Sequence, residues 1–207
     1  MNTLQLFSVG AIFCVVFASG GCAQDASFES DVREFQHELN TQYADSVKSP
    51  LTDEDKQDFT GLPFYAPDEQ FRVEAQLMRL NGRPIEMPTT TDRIARYQPY
   101  GKLLFEIGGD SLELTVYQPV AFPTNKELAE KPPLFLPYTD LTNGNETYGA
   151  GRYIDIERQE GETWMVDFNQ SYNPYCAYNT RYSCPIPPGE NHLDVRIEAG
   201  VRYEAHY

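Results

Sequence analysis

Cys176 and Cys184 stand in the most chemically loaded stretch of this chain, WMVDFNQSYNPYCAYNTRYSCPIPPGEN at 164–191, with His192 directly behind it. Thiolates and imidazole are zinc ligands, and Asp167 or Glu190 could complete a set of four. Cys176 with His192 as base would also make a nucleophile, provided that the thiol were free and of low pKa. Against both readings, compact zinc sites bring their cysteines closer together. An even pair of cysteines in an exported chain normally oxidises. The expectation is therefore a Cys176–Cys184 disulfide, worth roughly 2–3 kcal/mol for so short a loop, with no metal and no cofactor.

A second set of groups is polar and lies on loops. Asp140, Thr142 and Tyr148 precede Arg152; Asp167 and Asn169 end the Trp164–Phe168 run; Asn173, Glu190 and Asn191 flank the cysteine loop. If 152–157 and 162–168 pair as a hairpin across Gln159-Glu160-Gly161, the Asp140–Tyr148 loop and Asn169 arrive at one end of it. A carboxylate, a guanidinium and several amides converging there would hold a small polar ligand. The site assigned on this ground is Asp140, Tyr148, Arg152, Asp167, Asn169, Asn173, Glu190 and Asn191. The competing reading is that these side chains satisfy loop backbone and one another. A carboxylate pair such as Asp140 and Asp167 would serve hydrolysis, but no Gly-x-Ser-x-Gly elbow is present and the chain has 3 histidines in all. Enzymatic activity is the less favoured alternative.

These groups need a frame, and the apolar periodicities supply one. Phe28, Val32, Phe35, Leu39 and Tyr43 form one stripe of a helix, with Ser27 placed to cap it and His37 off the stripe. Thr52 and Asp55 form a capping box before a second, short helix. Phe71, Val73, Ala75 and Leu77 alternate with polar residues as a strand does, and Asn81-Gly82 turns that strand towards Ile85–Met87. Residues 93–100 make a weaker strand, and Leu103–Ile107 and Leu112–Tyr117 a hairpin across Gly108-Gly109-Asp110. A proline-broken loop follows, with a helical turn at Asn125–Glu130, and Leu134–Pro137 is a short strand. Leu193–Ala199 and Val201–His206 close the sheet around Gly200. The fold class is mainly β, a β-sandwich or barrel-like sheet with one N-terminal amphipathic helix lying across it and long loops.

The 207 residues, 41% hydrophobic, suffice for one domain and a tether. The net charge of −15 argues against a nucleic-acid partner, whose phosphates it would repel. Leu4 to Gly21 is largely apolar and uncharged, and Ser19-Gly20-Gly21 precedes Cys22 as small residues precede the acylated cysteine of a lipoprotein. The n-region MNTLQ carries no Lys or Arg, and Ser19 stands where such signals usually have Leu. The organisation expected is a lipoprotein signal peptide at 1–21, a tether at 22–27 and one β-rich domain at 28–207. Cys22 would carry the lipid, and the domain would sit in the cell envelope, on the periplasmic or surface side.

LFLPYTDLTNGNETYGAGRY at 134–153, DFNQSYNPYCAYN at 167–179 and SCPIPPGEN at 183–191, with the weaker MPTTTDRIARYQPYGKLLFEI at 87–107, resemble the bacterial domain of unknown function (DUF) family 1684. That resemblance implies an exported or lipid-anchored β-rich domain and no established activity. The function expected is a lipid-anchored envelope module that binds a small polar ligand or plays a structural role. The alternative is a hydrolase-like enzyme using the carboxylate and arginine cluster.

Overall fold

The computed structural model describes residues 21–120 and 132–204. Residues 1–20 of the signal peptide expected at 1–21, and the helical turn expected at Asn125–Glu130, lie outside the described residues. Helix α1, Gly21–Ala44, takes in the stretch assigned to a tether, so Ser27 sits inside the helix and not at its cap. Phe28, Val32 and Tyr43 of the stripe are buried, Phe35 and Leu39 half-buried and His37 exposed. The short helix α2, Asp55–Asp58, follows the expected box: the Asp55 N–H donates to Thr52 Oγ1 at 3.1 Å and the Thr52 hydroxyl to Asp55 Oδ2 at 2.7 Å.

Among the described residues seven antiparallel strands form one sheet: β1 Arg72–Arg79, β2 Ile85–Pro88, β3 Ile94–Ile107, β4 Asp110–Pro119, β5 Leu134–Tyr138, β6 Arg152–Ile156 and β7 Thr163–Asp167. Their order is β6-β5-β4-β3-β1-β7, with β2 on the first half of β3. The β3–β4 hairpin turns through Gly108 and Gly109, whose φ angles of 63° and 93° suit the positive-φ turn that matches strand twist. The two strand segments expected at 93–107 are one strand with a register shift between Pro99 and Gly101. Proline removes a ladder donor there. A Cβ at Gly101 would lie 2.5 Å from Leu77 Cδ1 and 3.1 Å from Met78 O, so a side chain there would force the buried Leu77 to shift.

Two expected pairings do not form. Ile85–Pro88 pairs with β3 and not back onto β1. The 152–157/162–168 hairpin is absent, because β6 pairs with β5 and β7 with β1. Period-two alternation says which face a residue takes but not which strand lies beside it, and Trp164 and Val166 find Ala75 and Val73 as partners. β6 and β7 thus end opposite edges of the strand order, yet only residues 157–162 join them. The sheet therefore curls into a half-barrel, the barrel-like member of the expected pair of architectures.

The inner face carries the main core. Val73, Ala75 and Leu77, Leu103 and Phe105, Leu114 and Val116, Leu134 and Leu136, Ile154 and Ile156, and Trp164 and Val166 all point into it. Leu193, Ile197 and Ala199 fill the middle. This C-terminal segment alternates as a strand does but makes only isolated bridges, His192 with Thr139 and Val201 with Phe64, so over its described residues, 193–204, an extended plug stands where closing strands were expected at Leu193–Ala199 and Val201–His206. Its Leu193 N–H donates to Thr139 O at 2.8 Å, and Val195 O accepts from Leu141 N at 3.1 Å. Nor does α1 cover the sheet. Tyr43 packs with Leu51, Leu62, Val201 and the tyrosines of the cysteine loop, while Phe28 meets the Arg72 guanidinium at 5.7 Å. The plug fills the inner face of the curled sheet, so that face does not need the helix.

Candidate functional site

Arg152 enters β6 in phase with Ile154 and Ile156, so its side chain is carried into the half-barrel, where it is fully buried. β5 pairs Tyr138 opposite Arg152, which brings Asp140, two residues on, beside the guanidinium. Arg152 Nη2 donates to Asp140 Oδ2 at 2.8 Å and to Ile197 O at 2.8 Å; Nη1 donates to Ala199 O and, at 3.4 Å, to Val201 O. The other Asp140 oxygen accepts from Thr142 N at 2.8 Å and Ile197 N at 3.2 Å. The guanidinium also lies 5.4 Å from the Tyr138 ring centre. The pair meets as expected, though not through a hairpin, and its hydrogen-bonding capacity is spent on the backbone of the plug. Of the side-chain nitrogens and oxygens of this pair, only Arg152 Nε is buried without a partner.

The remaining residues of the expected site are distributed over other contacts. Asp167 Oδ1 accepts from Asn169 N and Nδ2 at 2.9 and 2.8 Å, and Asn169 clasps Asp68 by N–H and carbonyl, both at 2.9 Å. Burial raises the Asp167 carboxyl above its ordinary value, partly offset by those two bonds and by Arg72. Asn191 is fully buried and slots between β4 and β5: Oδ1 accepts from Thr115 N at 2.9 Å, and Nδ2 donates to Thr115 O and Pro137 O at 2.8 and 2.7 Å. It acts as a piece of strand where β4 and β5 splay. Glu190 accepts from the Tyr117 hydroxyl at 3.1 Å. Asn173 Nδ2 donates to Tyr178 Oη at 2.9 Å and Arg202 O at 3.2 Å, leaving Oδ1 buried without a partner. The structure thus joins Asp140 to Arg152 and Asp167 to Asn169, and places Asn173, Tyr148, Glu190 and Asn191 in separate networks.

Tyr148 reaches the cysteines, its hydroxyl 4.0 Å from Cys176 Sγ. The two thiols are unbonded and adjacent: Cys176 N–H donates to Cys184 Sγ at 3.2 Å. Cys184 is buried and Cys176 half-buried. Thr90, which sequence reasoning passed over, clasps Cys184 from both sides, with Thr90 N to Cys184 O at 2.9 Å and Cys184 N to Thr90 Oγ1 at 3.1 Å. A hydrogen bond from the Cys184 thiol, with others from Thr90 and Tyr148, lowers the Cys176 thiol to about 6 against the pull of burial, and that same bond together with burial raises Cys184. Burial likewise holds the Tyr148 and Tyr153 phenols above their ordinary value, so both stay neutral. His192 is elsewhere, with Nδ1 2.9 Å from Thr139 Oγ1. Among the described residues no three His, Cys, Asp or Glu side chains gather to hold a metal ion.

A cleft of about 680 Å³ opens where α1 and α2 meet the C-terminal segment. Asn40, Glu54, Asp58, Tyr178, Arg202 and Glu204 are among its lining residues. The Arg202 guanidinium lies 5.5 Å from the Tyr65 ring centre, and its Nε has no partner. Of these residues only Tyr178 lies in the stretch that sequence singles out, the aromatic cysteine loop. For the others the only signal was the acidic run Asp53-Glu54-Asp55, which reads as an ordinary helix start.

Curled sheet, extended plug and proline-broken aromatic loop define a single-sheet half-barrel protein. The family described as protein of unknown function (DUF1684) matches residues 57–202, and the chain belongs to that family. The fold is similar to the solution NMR structure of an uncharacterized protein from Haloarcula marismortui, at 30% identity and a TM-score of 0.69, covering 89% of this chain and 99% of that one. No curated protein matches.

Proposed function

We propose that this protein is a lipid-anchored envelope module that works by binding a small polar ligand and not by catalysis. One observation carries this reading: the carboxylates, guanidinium and amides that could have served chemistry are consumed by the fold, Arg152 and Asp140 at 0% side-chain exposure. A separate set of polar and aromatic groups lines the cleft beside α2. There Glu54, Asp55, Asp58 and Glu204 outnumber Arg202, and Phe59, Tyr178 and Tyr203 offer ring faces. A cleft of that size and composition suits a small cationic or zwitterionic molecule, its amine held by carboxylates and its apolar part by rings. Among the described residues no helix is long and apolar enough to cross a membrane, and acylation of Cys22 would supply the attachment.

A thermal-shift screen of amines, amino sugars and amino acids tests the binding. A ligand should raise the melting temperature of the parent and lose that shift in Glu54→Gln/Asp58→Asn, which alters exposed groups and leaves the unliganded melt unchanged. Equal shifts in parent and variant would refute the cleft. Labelled fatty acid tests the anchor separately, and a chain that takes up label equally with Cys22→Ser would refute acylation at Cys22.

A further inference from the structure

We propose that Cys176 and Cys184 are a reversible thiol–disulfide pair, in which Cys176 attacks an incoming disulfide and Cys184 resolves the mixed disulfide that results. Two features separate this from a permanent staple. The first is asymmetry: Cys176 is half-exposed on the surface of the 173–191 loop, while Cys184 lies beneath it at 8% exposure. An incoming disulfide can therefore reach one sulfur and not the other. The second is polarity. Cys176 Sγ faces the Tyr148 hydroxyl and the Cys184 thiol. Thr90 adds a further donor to that sulfur, while Arg93, whose guanidinium donates to Ser183 Oγ at 3.0 Å and Ser183 O at 2.6 Å, places its positive charge on the Cys184 side. Donors around a half-exposed sulfur favour its thiolate, which is the attacking species.

The scaffold also keeps the resolving sulfur in place. Cys184 is held by Thr90 on both its N–H and its carbonyl, and Ile186 N donates to Pro88 O at 2.8 Å. This ties the strand-like 184–186 segment to the β2–β3 turn, while Cys176 rides on the separate turn Tyr175–Ala177. A bond between them would pin that turn to the sheet beside the cleft that Ala177 and Tyr178 help to line.

The chemistry balances with a disulfide of a small thiol or of an exchange partner as oxidant. The Cys176 thiolate attacks one sulfur of R–S–S–R, that S–S bond breaks, and one RS⁻ leaves and takes up the Cys184 proton. The Cys184 thiolate then attacks Cys176 Sγ and expels the second RS⁻, which is protonated from water. Two protein thiols are oxidised and one disulfide is reduced to two thiols.

The test uses the whole chain with Cys14→Ser and Cys22→Ser, so that the loop thiols alone react. It is equilibrated in reduced and oxidised glutathione and quenched by alkylation for peptide mass spectrometry. The pair should interconvert fully within glutathione buffers while circular dichroism stays native. Cys184→Ser should accumulate a stable glutathione adduct on Cys176, and Cys176→Ser should be modified at Cys184 at least tenfold more slowly. Should either variant fail to fold, limiting alkylation of the reduced parent gives the same ranking, with Cys176 labelled first. A folded protein whose bond resists excess dithiothreitol would overturn the proposal in favour of a permanent disulfide. Failure of the bond to form in oxidised glutathione, or equal labelling of the two sulfurs, would overturn it as well.

Discussion

Replacing Arg152 by Ala should cost more stability than any other single polar change in this protein. The guanidinium is at 0% exposure, faces a carboxylate also at 0%, and donates to the carbonyls of Ile197, Ala199 and Val201. Truncation leaves Asp140 as a buried charge without its counter-ion, which typically costs about 3–5 kcal/mol. It also strips donors from three plug carbonyls, each worth up to roughly 1–3 kcal/mol where water cannot replace the lost bond. Against a total stability of about 5–15 kcal/mol, even the lower figure is a large fraction. At roughly 2–4 °C per kcal/mol for a domain of this size, the melting temperature should fall by at least ~6 °C. The near-ultraviolet signal of Trp164, buried beside the plug in the same core, reports the transition directly. Arg152→Lys should recover only part of the loss, because one ammonium cannot span the spread of acceptors that the planar fork reaches. In the double variant Asp140→Asn/Arg152→Met the penalties should not add, with a coupling of about 0.5–3 kcal/mol. A melt of Arg152→Ala within about 2 °C of the parent would refute the role assigned to the pair.

Asn191→Ala should lower the urea midpoint by an amount equivalent to at least about 2 kcal/mol, since Thr115 N and O and Pro137 O all lose a buried partner; Asn191→Asp should be no better, because it turns an oxygen towards two carbonyls. Gly200→Ala should be destabilising by more than ~1 kcal/mol, its φ of 75° disfavouring a side chain and its Cβ falling 2.7 Å from Ser171 O; a melt equal to the parent's would contradict that geometry. For Asp167 the folded carboxyl is raised above the ordinary 3.8, so its contribution to stability is fully present below that value and is lost as pH rises through the folded one. Asp167→Asn should remove that part of the pH dependence in a series of denaturant melts, and an unchanged profile would show that Asp167 is not its source.

Much of this fold is legible where one face of one element decides the pattern. The stripe of α1, the alternation of Phe71 to Leu77 and the turn at Gly108-Gly109 each follow from a local period and a local turn, and each forms. What periodicity cannot carry is the identity of a neighbour. The run from Thr163 to Asp167 alternates equally well beside β6 or beside β1, and burial of Trp164 against Ala75 settles the matter in three dimensions. The C-terminal segment shows the converse failure. Leu193, Ile197 and Ala199 are inward-facing as a strand's would be, yet side chains and loops take the hydrogen bonds that a neighbouring strand would have taken. A charged residue in phase with Ile154 and Ile156 was the available signal: an arginine in the inward register of a strand must meet an acceptor inside. The Asp140–Arg152 contact was reached through a hairpin that does not exist, and the β5–β6 register that produces it lay beyond the reach of pattern.

The plug explains why a buried ion pair sits in a position where apolar side chains would pack as well. Replacing such pairs by hydrophobic residues is often neutral or stabilising when the surrounding backbone is already satisfied. Here it is not. Residues 197–201 run through the half-barrel without a neighbouring strand, so their inward carbonyls would be orphaned in a water-free core. Arg152 meets those carbonyls with donors from one rigid plane, while Asp140 takes the Ile197 N–H and balances the charge. Two side chains thereby substitute for the missing strand, and the same bonds fix the register of the plug, since a one-residue slip would turn Ile197 outward and Arg196 in. The pair therefore specifies where the C-terminal segment lies, and with it the position of Arg202 and Tyr203 at the cleft mouth.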